Sequence, residues 1–143
     1  MGLELQGLLA DVNVQGHLSH LARRLDSLGL LAILESLGLR LATFADLPIA
    51  PDLDDRSLWN RCQSGGWVLF TENRNQDGTD SLQSTLADSW RAGHLPILTL
   101  ANKRKFEADR RYADRVATDV AEILFGIVQG EFLDQSRIFV PRR

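Results

Sequence analysis

Nine side chains, Asp11, Asn13, Asp55, Thr71, Glu72, Asn73, Asn75, Asp77 and Asp80, have the oxygen ligands and carboxylates from which a hydrolytic site is built. Each lies where an apolar run gives way to a polar loop, within that loop, or where a helix opens. Carboxylates gathered in one place repel one another and raise each other's pKa unless a divalent cation neutralises them. Such a cluster points to Mg²⁺ or Mn²⁺, which take carboxylate, carbonyl and water oxygens. The chemistry that follows is activation of water and stabilisation of the charge developing on a phosphoryl group.

Side chains so distant in sequence meet only if the fold brings successive loops to one edge. The strongest guide is Trp67-Val68-Leu69-Phe70-Thr71, an unbroken run of strand formers that empties into the polar stretch Glu72 to Asp80. Such a run suits a central parallel strand, buried on both faces, that delivers loop residues to the carboxyl edge of a sheet. A first strand over 5–10 ends at Asp11 in the same manner. Further strands read over 39–44 and 96–101, with Arg137–Val140 as an edge strand or tail.

Helices fill the intervals. One runs from about residue 15, striped by Leu18, Leu21, Ala22, Leu25 and Leu28, and a second over 28–37 is capped by Ser27 and stopped by Gly38. A third, over 56–63, is capped by Asp54 or Asp55, faces the core with Leu58, Trp59 and Cys62, and ends at Gly65-Gly66. A fourth opens at Asp80 or Ser81 and closes at Gly93. The last is a single long helix from Asn102 with Phe106, Tyr112, Val116, Val120, Ile123, Leu124 and Ile127 on its buried side. Strands alternating with helices imply right-handed crossovers and a sheet covered on both faces. The expected fold is α/β: a three-layer α/β/α sandwich around a mainly parallel sheet of four to five strands. Residues 1–143 form one domain, with 103–143 packed on it.

At 143 residues the chain can bury a sizeable core unaided. A net charge of -3 and a pI of about 5.6 give no global basic footprint, so a nucleic-acid partner needs a local patch. Cys62 is the lone cysteine and cannot form an internal disulfide, and Met1 to Leu5 lacks a basic segment followed by an apolar one. The apolar stretch 28–34 is far too short for a bilayer. These features lead us to expect a cytoplasmic protein with no membrane partner.

Asp11-Val12-Asn13 after the first strand, Asp55-Arg56-Ser57-Leu58-Trp59 opening a middle helix, and Val68-Leu69-Phe70-Thr71-Glu72-Asn73 ending the next strand resemble the ordered signatures of PIN-like domains. The likeness is to small bacterial PIN-like proteins allied to VapC-type toxin ribonucleases, and it spans roughly residues 5 to 100. It implies a nuclease in which acidic strand-end residues hold Mg²⁺ or Mn²⁺ for hydrolysis of RNA phosphodiesters. An antitoxin or other protein partner and a homodimer are implied with it. Asp11 would then be the first-strand metal ligand and Asp55 the acidic residue of the middle helix. Where the family pattern has two further aspartates, this chain has Asn73 and Asn75, which offer carbonyl oxygens without charge. Glu72, Asp77 and Asp80 are near enough along the chain to substitute, with Asp77 joining Asn73 as a metal donor. Asn13, Thr71 and Asn75 would orient a ligand or water. If they do not restore the site, the chain is a PIN-like binding module for RNA or protein.

Simpler roles stand beside these. Asp55 and Asp80 read more readily as helix caps than as ligands, Asn73 and Asn75 read also as turn formers, and Asp11 as an acceptor for the next turn's amides. Asn73 to Thr79 has the alternation of a calcium loop, but its first ligand is not Asp and Ser84 stands where a bidentate Glu is needed. An aspartyl nucleophile at Asp11 lacks the second aspartate of an Asp-x-Asp pair, because Asn13 occupies it. His17 and His20 have no further ligand to make a zinc site. Cys62 reads as a buried structural thiol. Lys103-Arg104-Lys105 with Arg110, Arg111 and Arg115 could track a phosphate backbone, although Glu107, Asp109, Asp114 and Asp119 intersperse them as on a solvated helix face.

Overall fold

The structure, a computed structural model, describes residues 4–72 and 81–142, with the backbone alone over 81–84. Five strands, β1 (Gly7–Ala10), β2 (Arg40–Ala42), β3 (Trp67–Glu72), β4 (Ile97–Leu100) and β5 (Arg137–Val140), pair in the order β2-β1-β3-β4-β5, and every pairing is parallel. Successive side chains point to opposite faces of a sheet. The register aligns Ala10 with Phe70, Phe70 with Leu98 and Leu98 with Ile138, all on one face. Leu9 aligns with Leu69 and Ala42 on the other.

The first face is covered by α1 (Leu18–Ser27), α2 (Leu30–Ser36), α5 (Lys103–Ala108) and α6 (Arg110–Val128), which bury Leu21, Leu25, Leu34, Phe106, Val116, Val120 and Leu124 against it. The second is covered by α3 (Asp55–Gly65) and α4 (Ser81–Ser89) through Leu58, Trp59, Cys62 and Leu86. The result is a three-layer α/β/α sandwich around an all-parallel sheet. Burial on both faces explains why the central strands read as continuous apolar runs. Among the described residues no helix is long and apolar enough to cross a membrane.

Two local features depart from the sequence expectation. The long C-terminal helix is two helices, parted at Asp109, whose Oδ1 accepts from the amides of Arg111 at 3.0 Å and Tyr112 at 3.2 Å. The apolar period runs unbroken through this break because a cap alters the backbone without altering which side chains face inward. Before α2 the cap position is Gly29 in the left-handed conformation, not Ser27. Gly66, also left-handed, closes α3, and a Cβ there would lie 2.2 Å from the Glu4 carbonyl. That close approach lets Gln6 donate its amide to Gly66 O at 2.7 Å and lead into β1.

The crossovers do not share one hand. The chain passes from β1 to β2 over the first face toward one end of the sheet, and from β4 to β5 over the same face toward the other end. Two crossovers on one face that run in opposite directions have opposite hands, whereas those to β3 and β4 cross the second face with the hand of the first. Right-handed crossovers dominate parallel sheets, so the last one is the exception. Its cause is α6, whose apolar stripe joins the core of α1 and is tied there by Arg24 Nε and Asp114 Oδ1 at 2.6 Å. The consequence is visible at β5, where Phe139 on the second face remains 47% exposed.

Candidate functional site at the carboxyl edge

The chain leaves β1 toward β2 on one side and leaves β3 toward β4 on the other. The crevice at the carboxyl ends of β1 and β3 is therefore the topological switch point, where open α/β sheets bind ligands. Asp11 follows β1 there and Glu72 ends β3.

Asp11 extends the ladder by one bond, donating its amide to Phe70 O at 2.9 Å, while its carbonyl accepts from Val14 N in a tight turn. One carboxylate oxygen, Oδ1, accepts from Val12 N at 2.7 Å. The amide-acceptor role is thus present, and it fixes the carboxylate at the strand end. Alternation from Leu9 puts Asp11 on the second face, and its charge is felt by Cys62 on α3. Burial first, then the Asp11 charge, push that thiol up to about 12. Cys62 is 1% exposed and neutral, a structural thiol.

Asp54 and Asp55 divide two roles that the sequence leaves open. Asp54 is the N-cap of α3, its Oδ2 accepting from Ser57 N at 3.1 Å, and the Ser57 hydroxyl and amide hold its carboxyl below the ordinary value. Asp55 is the first residue of the helix, partly buried, and shares a stripe with Trp59 and Cys62, four and seven residues on. Both of those pack on the second face. The structure thus places Asp11 and Asp55 on the same side of the sheet at its carboxyl edge.

Thr71 is 3% exposed on this face, and its Oγ1 lies 3.1 Å from Thr99 Oγ1 on β4. Thr99 in turn accepts from Arg137 Nε at 2.9 Å. Arg137 brings a guanidinium from β5 into a hydroxyl pair at the centre of the second face. A short terminal strand gave no sign of this, because the pairing depends on register between distant segments.

Glu72 lies one residue further along β3 and so points to the first face, in register with Leu100. Its Oε1 pairs with Lys103 Nζ at 2.8 Å, outside hydrogen-bond geometry. The alternation that carries Thr71 toward Asp11 carries Glu72 away from it. Asn13 is exposed in the turn after Asp11. Asn73, Asn75, Asp77 and Asp80 lie outside the described residues, as does the side chain of Ser84.

Among the described residues no three His, Cys, Asp or Glu side chains form a group able to hold a metal ion. Mg²⁺ is commonly held by one or two carboxylates with water completing its octahedron. Asp11 and Asp55 are two carboxylates on one side of the sheet at this edge and do not make a closed cage. On the first face, His17 Nε2 meets Glu107 Oε2 at 2.8 Å and His20 Nε2 meets Phe106 O at 3.1 Å, so both histidines fasten α5.

Comparison with protein-family models, with curated proteins and with solved structures finds no significant match.

Proposed function

We propose that this chain is a PIN-like, divalent-metal-dependent ribonuclease that hydrolyses RNA phosphodiesters. Its Mg²⁺ or Mn²⁺ would be held by Asp11 and Asp55. The observation that carries the proposal is that Asp11 follows β1 at the switch point while Asp54 takes the cap of α3, which leaves Asp55 on the stripe facing the same side. The bound cation would supply a water nucleophile and neutralise phosphoryl charge. Asp11 and Asp55 would position that cation, and buried Thr71 would hold the adjoining strand end in register. A cytoplasmic location, an antitoxin or other protein partner and a homodimeric state belong to the same proposal.

A second reading is favoured by one feature of the sequence: where the PIN-like pattern it resembles has two further aspartates, this chain has Asn73 and Asn75. On that account the chain is a PIN-like module that binds RNA or protein without cleaving it.

The deciding experiment measures Mn²⁺ binding by calorimetry and cleavage of a generic single-stranded RNA, for the wild type, Asp11→Asn and Asp55→Asn. A nuclease binds the ion, cleaves, and loses both on either substitution. Absence of ion binding, or cleavage indifferent to both substitutions, sinks the nuclease and leaves the binding module.

A further inference from the structure

The stretch 103–115 is a basic island in an acidic chain. It holds six cations and three acids, a net of +3, so the remaining residues sum to -6 of the total -3. In the fold this stretch forms α5 and the first turns of α6, which begin where β4 ends, at the same carboxyl edge as Asp11.

The acids among these cations are held elsewhere. Glu107 meets His17 at 2.8 Å, Asp109 caps α6, and Asp114 meets Arg24 at 2.6 Å. Of the cations, Lys103 is paired with Glu72. Arg104, Lys105, Arg110, Arg111 and Arg115 are all exposed, and among the described residues none forms an ion pair. Lys105 Nζ and Arg115 Cζ lie 5.8 and 6.0 Å from the ring centre of Tyr112, which sits partly exposed between them. Charges alternate along the sequence, yet in space the acids are engaged and the cations project to solvent.

We infer that Arg104, Lys105, Arg110, Arg111 and Arg115, with Tyr112 among them, form the surface that binds the phosphate backbone of a single-stranded RNA at the carboxyl edge. This deepens the ribonuclease proposal and rests on it for the choice of ligand. Guanidinium groups at four of five positions suit phosphate oxygens, which they grip two at a time. An aromatic ring flanked by cations is the arrangement on which unpaired bases stack. An acidic protein segment would use the charges and leave the ring without a role.

Binding of a fluorescein-labelled oligouridylate is followed by anisotropy in EDTA, where cleavage cannot intervene, across a salt series. Arg110→Ala, Arg111→Ala and Arg115→Ala combined should weaken binding about tenfold or more at low salt and flatten the salt slope by about 0.7 for each phosphate no longer neutralised. Arg23→Ala, an exposed cation of α1, should change neither. Unchanged affinity and slope in the triple variant would overturn the inference, as would poly-glutamate competing with RNA on equal terms. The two proposals fail separately. RNA cleaved in Mg²⁺ with binding indifferent to these arginines removes the surface and keeps the nuclease. RNA bound through them but never cleaved does the reverse.

Discussion

The hydroxyls of Thr71 and Thr99 meet at 3.1 Å across β3 and β4, and Arg137 Nε completes the chain at 2.9 Å from Thr99 Oγ1. Thr99 is the hub, because it accepts from the guanidinium and meets the other hydroxyl while only 1% exposed. Thr99→Val takes an acceptor from Arg137 Nε and the hydroxyl partner from buried Thr71, and a buried polar group that loses its partner costs about 1–3 kcal/mol. Thr71→Val removes one end and leaves Arg137 its acceptor, at a cost of about 1 kcal/mol. Urea unfolding of both variants should rank Thr99→Val as the more damaging. Equal destabilisation would show that Arg137 draws nothing from Thr99.

The neighbours Asp54 and Asp55 should separate helix stability from ion binding. Hydrogen bonds from the Ser57 hydroxyl and amide lower the Asp54 pKa, so the cap stabilises the fold above the carboxyl's ordinary 3.8 and is lost as pH falls through the depressed folded value. Asp54→Ala should therefore lower the melting temperature at neutral pH, and the deficit should shrink below pH 3.8, with Mn²⁺ affinity unchanged. Asp55→Asn should do the opposite: near-normal melting and weakened Mn²⁺ binding. If Asp54→Ala also weakened the ion, the division of labour between the two aspartates would be wrong.

Cys62 reports on Asp11 without any need for activity. Burial leads and the Asp11 charge follows in pushing the thiol up to about 12, against an ordinary 9.0. A raised folded pKa means that the neutral thiol's contribution is intact below 9 and disappears as pH rises toward 12, where the unfolded chain gains stability by ionising. Wild-type stability should therefore fall with pH across that window more steeply than that of Cys62→Ala. Asp11→Asn should lower the thiol pKa, read as faster alkaline labelling by iodoacetamide. Identical labelling rates would place the Asp11 carboxylate away from α3.

Periodicity carried the sequence a long way toward the layers, because Leu9, Leu69 and Ile97 on one face and Leu8, Phe70 and Leu98 on the other follow from alternation once the strands are found. The turn after Asp11 and the helix opening at Asp54 and Asp55 were legible for the same reason: caps and strand ends carry local chemical signatures. What the sequence did not reveal depends on comparison between distant segments. Which face Glu72 takes needs the register of β3 against β4, and the bond from Arg137 to Thr99 needs that of β5. The hand of the last crossover depends on α6 choosing α1 as its neighbour, through apolar surface that would have packed on either face. Pairing of Glu107 with His17 and of Asp114 with Arg24, which exposes the basic island, was hidden by the even alternation of charge along the chain.

The break at Asp109 sets two energies against each other. A single helix from Asn102 to Val128 would gain helical backbone at residue 109, and Asp109→Ala removes the cap, at a cost of about 1 kcal/mol, and replaces it with the best helix former. Fusing the helices would swing α5 off the sheet edge, pulling Phe106, which is fully buried, out of the first-face core. Exposing a buried phenylalanine in this way costs about as much as truncating it to alanine, roughly 3–5 kcal/mol. The bonds that His17, His20 and Lys103 make around α5 would break as well. Packing should win. Asp109→Ala should thus unfold with about 1 kcal/mol less stability and no gain in far-ultraviolet helical signal. Phe106→Ala should cost about 3–5 kcal/mol, and only in the double variant should the two helices merge. A rise in helicity in Asp109→Ala alone would mean that the cap, not Phe106, holds α5 and its cations against the carboxyl edge.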